Sequence, residues 1–166
     1  MRTFSLPIAI ALAIAACSPG ANGAGSGAAL AEEDASATQV HPESGLKIVP
    51  LTVRTRNGEQ RFAAELADTP DAQARGLMFR TELGPNEAMI FPFPAPRQAS
   101  FWMRNTVIPL DIIFIGPDRR ILNIAANTVP YSEERILSEG PASAVLELAG
   151  GRAAELGIAP GDRVAW

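Results

Sequence analysis

The densest run of chemically capable side chains is Ala99-Ser100-Phe101-Trp102-Met103-Arg104-Asn105-Thr106-Val107-Ile108-Pro109-Leu110-Asp111. Read as a strand, it puts Phe101, Met103 and Asn105 on one face and Trp102 with Arg104 on the other. Either mixture can line a small-molecule site, because such sites are largely apolar with a few placed polar groups. The same residues also admit a structural reading. Arg104 then snorkels over Trp102, while Asn105, Thr106 and Asp111 satisfy the backbone of turns and caps.

What the chain lacks narrows the chemistry further. Its 166 residues contain one cysteine, Cys17, and one histidine, His41. From Ser44 to Trp166 there is neither thiol nor imidazole, which excludes Cys/His and Ser/His nucleophile pairs and removes the usual zinc and haem ligands. One thiol forms no intrachain disulfide, so the fold rests on packing. No cofactor, metal or catalytic residue is assigned on this basis. Met78, Met89 and Met103 are the one soft-ligand set, suited to Cu(I) or, as core filler, to nothing beyond packing.

The elements that must position these groups read mostly as strands. Leu51–Thr55 and Arg61–Ala67 flank Arg56-Asn57-Gly58, a hairpin signal. Thr69-Pro70-Asp71 joins an N-cap hydroxyl, a proline at the first helical position and an early acid, which predicts a short helix from Pro70 to about Leu77. Four short runs follow at Glu87–Phe93, Ala99–Asn105, Leu110–Ile115 and Arg120–Asn127. Pro92, Pro94 and Pro96 separate the first two as a turn. Leu110–Ile115 is too continuously apolar to be half exposed, so it is placed centrally. A strand at Ala144–Leu148, a helix over Arg152–Leu156 and a last extended stretch at Arg163–Trp166 complete a mainly β fold, a compact β-sandwich or barrel with two short helices.

Ahead of that domain lies an address. Arg2, an apolar run from Phe4 to Ala16 and small residues before Cys17 make residues 1–17 a secretory signal, too short to cross a bilayer. Small residues before a cysteine resemble a bacterial lipobox, with Cys17 as the lipidated residue; ordinary cleavage near Ala21 to Ala24 is the alternative. Residues 18–44, rich in Ala, Gly and Ser, read as a flexible tether holding His41 in solvent. The domain proper is residues 45–166. The expected location is therefore the periplasm, with a lipid anchor in the outer membrane. The chain carries 14 Lys plus Arg and 18 Asp plus Glu, a net charge of -4. Setting aside Arg2, Glu32, Glu33, Asp34 and Glu43 leaves 13 basic and 14 acidic residues, a balance that does not attract nucleic acid. The membrane is then a partner through the anchor alone, and the sequence fixes no oligomeric state.

Gly76-Leu77-Met78-Phe79-Arg80, Met89-Ile90-Phe91-Pro92-Phe93, Phe101 to Thr106, Ile108 to Phe114, Val145 to Gly150, Gly157-Ile158 and Gly161-Asp162 follow one another in an order that resembles the bacterial and archaeal family called domain of unknown function 192. The resemblance spans about Leu51 to Trp166. It implies a compact jelly-roll-like β domain, often exported, and no particular activity. The family usually has Lys where this chain has Arg104, which keeps the charge and changes the hydrogen-bond geometry.

The polar positions that match are Arg80, Arg104, Asn105, Thr106, Asp111 and Glu147. Together with Phe101 and Trp102 they form the expected site of a small-ligand-binding domain. Arg80 and Arg104 would anchor an anionic or sugar-like molecule, Asn105 and Thr106 would orient it, and an aromatic ring would stack on it. Three other readings stay open. Arg80 paired with Asp111 or Glu147 gives an internal ion pair and no ligand. Asp111 and Glu147 sharing one cleft would suit a glycan hydrolase. An exposed apolar patch would suit a structural or partner-docking role in the envelope.

Overall fold

The structure is a computed structural model that describes residues 39–166. The expected signal peptide, Cys17 and the tether up to residue 38 lie outside the described residues. Among the described residues no helix is long and apolar enough to cross a membrane.

The domain is mainly β with two short helices, as its sequence predicts. Strands β1 (Ile48–Thr55) and β2 (Gly58–Leu66) form the expected hairpin. Its tight turn is Arg56-Asn57, and the Thr55 hydroxyl accepts from the Asn57 amide and donates to the Gly58 carbonyl. Helix α1 (Pro70–Arg75) starts at Thr69, whose hydroxyl accepts from the Ala72 amide, and stops at Gly76 with φ 49° and ψ −137°, a backbone state suited to glycine. It carries the chain to β3 (Glu87–Phe101), which runs parallel to β2. Strands β4 (Leu110–Ile115), β5 (Ile121–Ala125) and β6 (Ile136–Ala149), helix α2 (Arg152–Leu156) and strand β7 (Arg163–Ala165) follow.

Two expectations are corrected. The prolines after Pro92 do not break the chain into separate strands. Strand β3 continues through them to Phe101, and its pairing with β6 shifts register between Pro92 and Arg97 and again between Gln98 and Ser100. A bulge is the place in a sheet where residues without an N–H are tolerated, and Pro94 and Pro96 are exposed there. Second, the strand ends at Phe101. Met103 and Asn105 therefore do not continue its face: Met103 is buried in the core, and Asn105 sits in a loop with φ 56°.

All seven strands belong to one sheet, in the order β5-β4-β6-β3-β2-β1-β7. The sheet curls until its two edges touch. The Ile121 amide donates to the Asp162 carbonyl at 2.9 Å and the Val164 amide to the Arg119 carbonyl at 2.9 Å. Joining the edges removes exposed ladder groups that would otherwise invite pairing with another chain. The inner face gathers Leu51, Val53, Ile90, Ile113, Ile115, Leu146 and Leu148. The outer face carries a second cluster with Met89, Phe91, Met103, Ile112, Phe114 and Val145. Strand β4 contributes to both clusters, which accounts for a sequence that is apolar on both faces except at Asp111.

Candidate functional site

On the outer face, the side of α1, the end of β3 and the loop after it enclose a pocket of about 310 Å³. Glu147 stands on its lining. In β6 this residue pairs across to Met89 on one side and Ile112 on the other, so its carboxyl rises out of an apolar surface. It is nearly buried and makes no hydrogen bond or ion pair among the described residues. Burial pushes its pKa up to about 8 from an ordinary value of 4.5, so the carboxyl is protonated at neutral pH. A protonated carboxyl can donate one hydrogen bond to an acceptor that enters the pocket.

The walls are aromatic. Phe101 meets Phe91 edge to face with centroids 5.3 Å apart, and Phe93 and Trp102 complete the lining. Three arginines are part of the lining. Arg97 lies 3.9 Å above the Phe93 ring, Arg104 lies 5.5 Å from the Trp102 ring, and Arg75 comes from the last turn of α1. Only Arg104 approaches a carboxylate, Glu133 at 3.8 Å; Arg75 and Arg97 are in no ion pair among the described residues. Gln73 holds α1 in place by donating to the Ala67 and Pro92 carbonyls at 3.1 and 2.9 Å.

Of the residues expected at the site, the structure brings together Phe101, Trp102, Arg104, Thr106 and Glu147. Asn105 stands behind the lining: its carbonyl accepts from the Phe79 amide at 2.9 Å, and its side-chain amide lies 3.8 Å from the Met78 sulfur. Thr106 is buried, with its amide on the Met103 carbonyl.

Two expected ligand residues are corrected. Asp111 is fully buried on the inner face, where Oδ1 accepts from the Asn127 and Gly151 amides at 2.7 and 2.9 Å and Oδ2 accepts from the Ala153 amide at 2.7 Å. Helix α2 begins at Gly151, which has no side chain to cap it, and Asp111 supplies the missing cap from a distant strand. Arg80 is likewise used internally. Its Nη1 donates to Glu65 Oε1 at 2.8 Å, and its Nε lies 3.0 Å from Glu43 Oε2 without hydrogen-bond alignment. The ion pair foreseen for Arg80 therefore exists, but with Glu65 rather than Asp111 or Glu147.

The same geometry removes two other readings. Asp111 pairs with Leu148 and Ile112 with Glu147 on neighbouring strands, so the two carboxylates point to opposite faces of the sheet and cannot share a cleft. Met89 and Met103 are packed into the outer cluster as core filling, with Met103 Sδ 3.1 Å from the Thr128 hydroxyl, while Met78 lines the pocket with its sulfur against the Asn105 side-chain amide, so two of the three sulfurs considered for Cu(I) are committed to the core. His41 is not a solvated linker residue. Its Nε2 is 3.3 Å from Arg80 Nη2, and its amide donates to the Leu46 carbonyl.

Arg75, Arg97, Phe91, Phe93 and Gln73 are absent from the sequence-based site. Their place depends on α1 docking against β3, which no local pattern specifies. The available signal was the i, i+2 spacing of Phe91 and Phe93, which sets both rings on one face.

The fold and the pocket define a small β domain, one curled sheet with a recess on its outer face. The chain belongs to the DUF192 family, described as Uncharacterized ACR, whose model matches residues 52–166. Two solved structures are similar to it. A protein of unknown function from Novosphingobium aromaticivorans DSM 12444 is 61% identical with a TM-score of 0.77, covering 80% of this chain and 94% of that one. A protein from Sinorhizobium meliloti 1021 described as a candidate transcription regulator is 38% identical with a TM-score of 0.70, covering 72% of this chain and 94% of that one. No curated protein matches the chain.

Proposed function

We propose that the domain binds a small anionic molecule in the outer-face pocket. The observation that carries this reading is the charge distribution there: three guanidiniums, two of them without a carboxylate, face a carboxyl that is protonated at neutral pH. The pocket is therefore cationic although the domain as a whole is nearly balanced. A ligand acid group meets the planar forks of Arg75, Arg97 and Arg104. Its ring or apolar body lies against Trp102 and Phe101, and one of its acceptor atoms accepts a hydrogen bond from the protonated Glu147 carboxyl. The volume is at the small end for ligand sites, which suits one ring with its substituents.

The cellular setting belongs to the same proposal. Export through the residue 1–17 signal and anchoring through Cys17 would place this binder in the periplasm at the outer membrane. A transcription-regulator role, as in the description of the Sinorhizobium protein, is not favoured. The described helices have six and five residues, too short to read a major groove, and the domain's charge gives phosphate no general attraction.

The test is calorimetric titration with galacturonate, and with galactose as the neutral control. Galacturonate is expected to bind at one site and galactose at least tenfold more weakly. The Arg97→Ala/Arg104→Ala variant should lose galacturonate binding while keeping its melting temperature, since both side chains are exposed. Equal binding of the two sugars, or full binding by the variant, would sink the proposal.

A further inference from the structure

Beside the pocket, three loops present large apolar side chains to water. Phe79 is 64% exposed, Trp102 43%, Val129 71% and Tyr131 61%. Trp102 belongs to the pocket lining, while Phe79, Val129 and Tyr131 lie outside it. The loops are stitched to one another at the pocket's edge. The Phe79 amide donates to the Asn105 carbonyl at 2.9 Å, the Tyr131 amide to the Thr106 carbonyl at 3.1 Å, and the Met103 amide to the Ser132 carbonyl at 2.8 Å. Phe79 and Tyr131 thus flank the two-residue segment Asn105-Thr106, and Thr106 lines the pocket.

Both aromatic residues have left-handed backbone, φ 65° at Phe79 and 62° at Tyr131. For a bulky side chain that conformation is an outlier, and residues held in it cluster at ligand clamps. Neither ring is compensated by burial. Summed over the four side chains, the exposed rings and Val129 leave apolar surface on the order of several hundred Å² in water.

We propose that this rim extends the pocket into a binding face for an acidic polysaccharide, a chain of uronic acid units. The proposal rests on the pocket reading above and names the source of its anion. One unit enters the pocket, where the guanidiniums take its carboxylate. The neighbouring units lie across Trp102, Phe79 and Tyr131, whose ring faces match the apolar CH faces of sugars while leaving sugar hydroxyls in water. Charge complementarity selects the occupant: Arg75, Arg97 and Arg104 line the pocket, so an anionic chain fits. An anionic bilayer fits less well, because the arginines line a recess of about 310 Å³ that one unit of a chain can enter, whereas a lipid surface is broad and flat.

The rim is tested with the full chain carrying Trp166→Phe, so that Trp102 alone reports by fluorescence. Galacturonate and its hexamer are titrated in parallel, with maltohexaose as the neutral chain and phosphatidylglycerol vesicles as the lipid surface. The hexamer should bind at least tenfold more tightly than the monomer, and the neutral chain should gain nothing. Phe79→Asn with Tyr131→Asn removes both rings and keeps a residue suited to left-handed backbone. That variant should lose the hexamer's advantage and keep the monomer's affinity. Monomer binding without any gain in the hexamer overturns the rim and leaves the pocket standing. An equal gain with maltohexaose overturns the acidic chain, and ring-dependent vesicle binding without a hexamer gain makes the face a lipid contact instead. Binding of neither galacturonate form overturns both readings.

Discussion

Glu147 and Asp111 lie on neighbouring strands, and what reaches their oxygens sets them apart. Three backbone amides converge on Asp111, while Glu147 stands among Met89, Ile112 and the pocket aromatics with no partner among the described residues. The first has its oxygens satisfied by three donors, and the second is held as an acid. This has a consequence for stability. In the unfolded chain Glu147 ionises near 4.5, and in the folded chain near 8. The native state therefore binds the extra proton between these values, and stability falls as pH rises through that window, by a few kcal/mol in all. Glu147→Gln removes the dependence. Its melting temperature should exceed that of the wild type at pH 9 and match it near pH 4. Parallel melting curves at both values would contradict the assignment of a buried, unpaired acid.

At the scale of elements, Asp111 ties β4 to α2. Asp111→Ala leaves the Gly151 and Ala153 amides without an acceptor at the start of a five-residue helix and the Asn127 amide without one after β5, and should cost about 2–4 kcal/mol in urea denaturation while leaving galacturonate affinity of the folded protein unchanged. A loss of affinity without a loss of stability would return Asp111 to the ligand site. The elements also show what could be read in advance. The β1-β2 hairpin, α1 and α2 were legible because their signals are local: a tight turn with Gly58, Thr69-Pro70 at a helix start, and Gly151 and Gly157 around α2. Strand β3 was not, because its prolines are tolerated only at a bulge opposite β6, more than forty residues away in sequence. The role of Asp111 was hidden for the same reason, since its partners at Gly151 and Ala153 lie 40 and 42 residues ahead. Half the pocket was legible as the Phe101 to Thr106 segment, and the half supplied by α1 and Arg97 was set by tertiary docking.

On the scale of the whole molecule, one sheet keeps two faces apart in function. The inner face closes on itself, with α2 packed against it and the edges joined between Arg119–Ile121 and Gly161–Val164. Its buried carboxylate, Asp111, is consumed in capping. The outer face carries the second core, the pocket and the aromatic rim, so the chemistry of the domain is concentrated there. The absence of cysteine and histidine beyond residue 44 fits this arrangement. Recognition falls to guanidiniums, aromatic rings and one protonated carboxyl. The most direct test is calorimetric titration of the wild type with galacturonate at pH 6 and at pH 9. Because the bound anion requires Glu147 in its protonated form, affinity should be full at pH 6 and about tenfold weaker at pH 9. Equal affinity at both values, or no saturable binding at pH 6, would contradict the account.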